Sequence, residues 1–124
     1  MRILPLAAGF VLAATAVAFA APMVETVDTA NGKVIAGEKG MTLYTFKKDA
    51  MGKSNCYDDC AKKWPPFMAD ASAKAEGDYS VVERKDGMKQ WALKGMPLYY
   101  WMKDGKKGDA TGEGVGGVWN AARP

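Results

Sequence analysis

Residues 39–49 read KGMTLYTFKKD, and residues 94–104 read KGMPLYYWMKD. Seven of the eleven positions are identical, and each copy has a tyrosine, an aromatic residue two positions later and an aspartate three positions after that. Gly40 and Gly95 each follow a lysine. Glycine is typical of tight turns, because it adopts a left-handed backbone at little cost. Apolar residues alternate after the glycine, as in a half-buried strand. The stretch therefore predicts a turn and a strand that ends near an aspartate.

The repetition extends beyond this stretch. Residues 27–64 align with residues 82–119 at a shift of 55 positions and without a gap, and ten of the 38 aligned positions are identical. Self-similarity at a fixed period indicates repeated structural units. We therefore predict that residues 21–124 form a single β domain made of two repeats, at about 24–67 and 79–122.

Each copy is predicted to form three short antiparallel strands. Asn31 and Gly32 in the first copy, and Asp86 and Gly87 in the second, separate strand-like runs. Such pairs are strong hairpin signals. Because three strands alone are only marginally stable, the copies should pack against each other. The predicted fold is mainly β, with two pseudo-symmetric antiparallel three-stranded repeats packed into a small sandwich or a partly closed barrel.

The segments that follow these strands differ between the copies. The first copy is expected to form one short helix near residues 55–63, capped by Ser54 or Asn55 and stopped by the prolines that follow. The second copy has a glycine-rich segment at 105–117, expected to be mobile or tightly turning. Residues 68–78, rich in Ala, Asp and Lys, are expected to connect the repeats.

The N-terminal segment has the features of a secretory signal. Arg2 precedes an unbroken run of apolar or small residues that ends in the small-x-small triplet Ala18-Phe19-Ala20. We predict that residues 1–20 are a signal peptide cleaved after Ala20, and that no stable transmembrane span remains after its removal. The predicted localisation is periplasmic or secreted.

Composition and charge exclude several classes of function. The 124-residue chain has 17 Lys and Arg against 14 Asp and Glu, and the charges are interspersed, so it lacks the basic face that nucleic acids require. It contains no histidine, which excludes Ser-His-Asp and Cys-His systems and imidazole-ligated zinc or haem. We predict no nucleic-acid partner, no enzymatic activity and no cofactor.

The chain has two cysteines, Cys56 and Cys60. In an oxidising compartment a disulfide between them is favoured, and its small ring stabilises a local loop by about 2 kcal/mol. Thiolate and thioether sulfur also suit Cu(I), and seven methionines follow residue 20. An envelope copper-handling or thiol-redox accessory protein using these cysteines therefore stays open as the second hypothesis.

The Tyr-x-aromatic-x-x-Asp motif is the most specific candidate site. Its six residues are Tyr44, Phe46 and Asp49 in the first copy and Tyr99, Trp101 and Asp104 in the second. In one interpretation the aspartates bind a cation or a polar sugar and the aromatic rings stack on the ligand. In the other, favoured by the presence of the motif in both copies, the aspartates accept backbone N–H bonds after their strands and the tyrosines pack in the core.

Trp64 and Trp119 occupy equivalent positions in the two copies. Because a residue needed to build each unit must recur, both are expected to be structural anchors. No metal ligand set is predicted.

Together these motifs resemble a known family. The order of Cys56-x-x-x-Cys60, Trp64-Pro65-Pro66, the two Tyr-x-aromatic-x-x-Asp motifs and a glycine-rich segment before Trp119 is similar to that of the bacterial secreted-repeat family, described as predicted lipoproteins with a Yx(FWY)xxD motif. The resemblance covers nearly all of residues 21–124. It implies secretion, tandem units and an unknown function. The chain has no cysteine near residue 20 to which a lipoprotein would attach its lipid.

The sequence thus favours a secreted or periplasmic, non-catalytic binding or interaction module, whose ligand and partner it does not identify. A further possibility is an envelope or cell-wall component whose exposed aromatic residues contact glycans. Trp91, Tyr100 and Trp101 would mark such a face if their side chains were exposed together.

Overall fold

The computed structural model describes residues 21–124, and the predicted signal peptide at 1–20 lies outside the described residues. The strands are β1 Glu25–Thr29, β2 Gly32–Ala36, β3 Tyr44–Phe46, β4 Met68–Ala69, β5 Tyr79–Glu83, β6 Lys89–Leu93, β7 Met96–Pro97 and β8 Trp119–Ala121. The helix α1 is Asp59–Lys63, and 3₁₀ turns occupy Glu38–Gly40 and Val115–Gly117.

Each repeat begins with an antiparallel hairpin, β1–β2 in the first and β5–β6 in the second. Val27 pairs with Val34 in the first hairpin, whereas Val82 pairs with Gln90 in the second, so the second turn is one residue longer. The next turn is one residue shorter in the second repeat, which restores the alignment. Between these turns the equivalent residues are 56 positions apart, an offset that the gap-free sequence alignment misses.

The two repeats are intertwined rather than merely stacked. β3 of the first repeat pairs with β8 of the second, and in the other half the Tyr100 N–H donates to the Pro65 carbonyl (2.7 Å). Where these pairings meet, Tyr44 and Tyr99 exchange both backbone hydrogen bonds, at 2.8 and 3.0 Å. Each repeat therefore completes its structure with a segment of the other.

The predicted fold class is confirmed: the protein is mainly β, with two repeats and one helix. Its sheets are open, as in a small sandwich, rather than closed into a barrel. The three-stranded meander is complete only in the second repeat, where β5, β6 and β7 pair in succession. In the first repeat the third strand meets β2 at the Ala36–Thr42 bridge, because from Tyr44 onward it pairs with β8.

The helix starts later than predicted, and neither predicted cap is used. It begins at Asp59 after Asp58, which has a positive φ of 55° and makes no side-chain capping bond. Ser54 does not cap it, because its hydroxyl lies 2.7 Å from the Tyr99 hydroxyl in the interior. The side chain of Asn55 donates to the Lys48 carbonyl instead.

The two remaining segments are more ordered than their composition indicates. Met68 and Ala69, at the start of the predicted connector, form β4 and pair with β6. The glycine-rich segment turns tightly, and a Cβ placed on Gly112 would lie 2.8 Å from the Trp64 ring, so only glycine fits there. Among residues 21–124, no helix is long and apolar enough to cross a bilayer.

Candidate functional site

The motif residues of the two repeats are paired crosswise in the centre of the molecule. The Tyr44 hydroxyl donates to Asp104 Oδ2 at 2.6 Å and accepts the Gly112 N–H at 3.0 Å. The other carboxylate oxygen, Oδ1, accepts both the N–H and the hydroxyl of Thr111. Tyr44 is fully buried, and burial, together with the Asp104 carboxylate, raises the pKa of its hydroxyl.

The second pair repeats this arrangement with the roles of the repeats exchanged. The Tyr99 hydroxyl donates to Asp49 Oδ2 at 2.6 Å, and Asp49 Oδ1 accepts the Asn55 N–H at 2.7 Å. Burial raises the pKa of Asp49, although hydrogen bonds from Tyr99 and Asn55 act in the opposite direction. Ser54 takes the place beside Tyr99 that the Gly112 N–H takes beside Tyr44.

A buried arginine distinguishes the second pair from the first. Arg84 Nη1 donates to Ser54 Oγ (3.1 Å) and Gln90 Oε1 (2.8 Å), and Nη2 donates to the Cys56 carbonyl (2.9 Å). The Arg84 side chain is 1% exposed and lies over the Tyr57 ring. The sequence prediction missed this network. A signal was present, because the copies differ at these positions: Thr29 and Val34 occupy them in the first repeat.

Four aromatic rings form one stacked column along the boundary between the repeats. Phe46 stacks on Trp119, Trp119 on Trp64 and Trp64 on Trp101, with centroid separations of 4.2, 3.7 and 3.9 Å. All four side chains are buried. Phe46 and Trp64 belong to the first repeat, and Trp101 and Trp119 belong to the second. Every step of the column is therefore an inter-repeat contact.

Trp91, Tyr100 and Trp101 do not form the exposed aromatic face that glycan binding would require. Trp91 and Trp101 are buried. Tyr100 is half-buried, and its hydroxyl accepts the Glu38 N–H at 2.9 Å. Burial raises the pKa of Tyr100 to about 12.

The predicted disulfide between Cys56 and Cys60 is confirmed. Cys56 is fully buried, whereas Cys60 is partly exposed. The bridge holds the segment that carries Ser54 and the Cys56 carbonyl, and both groups accept bonds from Arg84. In this oxidised state neither sulfur is a thiolate, so the cysteines offer no metal ligand.

Comparison with known proteins identifies the family. Residues 25–68 and 80–123 each match a family described as a secreted repeat of unknown function, and the two matches together cover more than half of the chain. The chain belongs to this secreted-repeat family. No curated protein and no solved structure matches it.

The surface of this secreted-repeat protein is rich in methionine. Five methionines are exposed: Met23, Met51, Met68, Met88 and Met102. Two of them, Met23 and Met68, line one groove of about 370 Å³, which we call the methionine groove; its lining also includes Glu38, Phe67, Asp70 and Trp91. Phe67 and Trp91 form its buried floor, whereas Met23 is 71% and Met68 38% exposed.

A second groove of the secreted-repeat protein lies at the equivalent place in the other half. It has a volume of about 440 Å³, and we call it the charged groove; its lining includes Glu25, Ile35, Asp78, Tyr79, Lys94 and Arg123. Asp78 and Arg123 lie 55 positions after Met23 and Met68. Ile35 corresponds to Trp91, because each donates its N–H to the equivalent carbonyl, of Ala122 or Phe67.

The positions of the carboxylates limit the metal-binding chemistry of this protein. Within residues 21–124, Cys, Asp and Glu side chains form no group of three or more that could hold a metal ion. The motif carboxylates are engaged by tyrosines and backbone N–H groups. In the methionine groove, thioether and apolar side chains of this chain face solvent together.

Proposed function

We propose that this protein is a non-catalytic binding module that works in the periplasm or outside the cell. The features of a cleavable signal peptide at residues 1–20 and membership of a secreted-repeat family support this location. The intertwined repeats serve as a rigid body. Its methionine groove binds a ligand or partner, and the Tyr–Asp motif, the tryptophan anchors and the disulfide hold the body together.

The observation that carries this proposal is the burial of the motif. Both tyrosine hydroxyls and both aspartate carboxylates are already bonded inside the protein. A ligand that used them would have to displace these bonds, and leaving one such buried group unpaired costs about 1–3 kcal/mol. The methionine groove presents accessible apolar side chains in a concave site of ligand-binding size.

The methionines provide built-in reporters for a test. Protein labelled with ¹³C at the methionine methyl groups would be titrated with peptidoglycan fragments, phospholipid vesicles and metal salts, and followed by NMR. We expect one component to shift the methyl signals of Met23 and Met68 and to leave Met51 and Met102 unchanged. The proposal is contradicted if no component shifts any methionine signal, or if the shifts fall on Met51 and Met102 alone.

A thiol-redox accessory role is the second candidate, and one observation favours it. Cys60 is partly exposed, whereas Cys56 is fully buried, so an external thiolate would attack the Cys60 sulfur with Cys56 as the leaving group. Thiol titration and the intact mass of the exported protein test this role. A bridge that stays intact in mild thiol buffers contradicts it, and a readily reduced dithiol supports it.

A further inference from the structure

The two grooves make an internal comparison, because each repeat supplies the same positions. Where the charged groove has Asp78 and Arg123, the methionine groove has Met23 and Met68. Since Asp78 and Arg123 show that polar side chains are accommodated at these places, the scaffold does not require methionine there. The two grooves therefore differ in chemistry at equivalent positions.

That chemistry combines two neutral soft donors with negative charge. The side chains of Met23 and Met68 and the carboxylates of Glu38 and Asp70 line the same groove. Among the residues described, no lysine or arginine lines it. Thioether sulfur selects soft cations such as Cu(I), whereas Mg²⁺ and Ca²⁺ require oxygen ligands.

We propose that the methionine groove binds a soft monovalent metal cation of the Cu(I) class through the thioether sulfurs of Met23 and Met68. Glu38 and Asp70 balance the charge of the bound cation. The inference rests on the proposed binding function and names the ligand class. It does not use Cys56 and Cys60, which are joined in the disulfide.

An organic cation is less well suited to this groove. Recognition of such a ligand needs accessible aromatic faces. Phe67 and Trp91 are 4% and 5% exposed, so their rings are covered by the protein itself. The exposed side chains that line the groove are Met23, Met68, Glu38 and Asp70. Of these, the methionines supply soft donors, which favours coordination of a metal cation by sulfur.

Silver(I) is the suitable probe, because it mimics Cu(I) and needs no reductant that would open the disulfide. The exported protein, produced from the full 124-residue sequence, would be titrated with silver nitrate in chloride-free buffer by calorimetry. We expect one equivalent to bind by calorimetry. In NMR spectra of the methyl-labelled protein, the same equivalent should shift the Met23 and Met68 signals. Free thiol, measured in parallel, must stay at zero.

Leucine variants locate the ligands, because leucine resembles methionine in volume. Met23→Leu and Met68→Leu should each weaken silver binding by more than the roughly tenfold that loss of an outer-shell partner costs a metal site. Met51→Leu and Met102→Leu, exposed methionines outside the groove, are the matched controls and should leave the affinity unchanged. Glu38→Gln should weaken binding without abolishing it.

Three results would overturn the inference: no silver binding, equal loss in the groove variants and the controls, or binding that appears only together with free thiol. If silver fails while another envelope component shifts the Met23 and Met68 signals, the metal inference falls and the binding function stands. If no component shifts these signals, both fall.

Discussion

Trp64 and Trp119 stack face to face, with their ring centroids 3.7 Å apart and their planes inclined by 3°. They are equivalent residues of the two repeats, so the centre of the aromatic column belongs to neither repeat alone. Phe46 and Trp101 extend the column on each side. The tightest aromatic packing in the column is therefore an interface between two halves of one chain.

This stack gives a spectroscopic prediction. Two closely stacked indoles couple their transitions, so we expect an exciton couplet in the circular dichroism spectrum. Trp64→Phe should abolish it and lower the free energy of unfolding by about 2 kcal/mol, within the usual range for a core substitution. Trp91→Phe, a buried tryptophan outside the column, should keep the couplet. A couplet that survives Trp64→Phe unchanged would contradict the stacking.

Removal of the disulfide should have a modest effect on stability. Replacing both Cys56 and Cys60 by alanine opens only a small ring, which corresponds to about 2 kcal/mol of unfolding free energy. Urea unfolding of the oxidised protein, the reduced protein and the double variant measures this loss. Reductant should not change the double variant further. An unaltered urea midpoint on reduction would show that the bridge does not stabilise this segment.

Even a conservative substitution of Arg84 should lower the free energy of unfolding. Its guanidinium donates to Ser54, Gln90 and the Cys56 carbonyl at once, and a lysine ammonium cannot match this fork. We expect Arg84→Lys to cost about 3 kcal/mol in urea unfolding, because buried acceptors lose their donors. Arg123→Lys is the control, since Arg123 is 42% exposed, and should cost less. Equal effects of the two substitutions would argue against the buried network.

Glu113 should contribute a pH-dependent part of the stability. Burial works to raise its pKa, but hydrogen bonds from Asn120 and the Ala121 N–H, with the charge of Arg123, outweigh it and hold the pKa below its ordinary value of 4.5. A carboxylate with a lowered pKa in the folded state stabilises the protein above the ordinary pKa, and this stabilisation is lost as the pH falls through the lowered value.

The variant Glu113→Gln measures this contribution. At neutral pH it should be less stable than the wild type by about 1 kcal/mol, and the two proteins should converge in acid. Other carboxylates titrate alike in both proteins and cancel in the difference. Urea unfolding across the acidic range gives the curve, and a difference that does not vary with pH would refute the assignment.

The sequence pattern predicted much of this fold, because turn glycines and the alternation of apolar and polar residues can be recognised within a short stretch of sequence. The glycines at positions 32, 40, 87 and 95 have positive φ, as turn residues should, and β6 spans the predicted run at 89–93. The crossed pairing was beyond such reasoning. Nothing in the local pattern of Tyr44 distinguishes Asp104 from Asp49 as its partner, since both repeats carry the same motif.

The candidate site was harder to predict for a related reason. Arg84 and Gln90 are polar residues whose burial depends on Ser54 and Cys56, far away in sequence. The methionine groove likewise joins Met23 and Met68 from different segments. Only the intertwined path of the chain brings these residues together.

The most direct test of this account is a double-mutant cycle on the crossed pair Tyr44 and Asp104. We would measure unfolding free energies for Tyr44→Phe, Asp104→Asn and the double variant, with Tyr44→Phe and Asp49→Asn as the matched cycle within one repeat. We predict a coupling of about 1–3 kcal/mol for the crossed pair and a much smaller one within the repeat. Coupling of Tyr44 to Asp49, with none to Asp104, would contradict the intertwined arrangement.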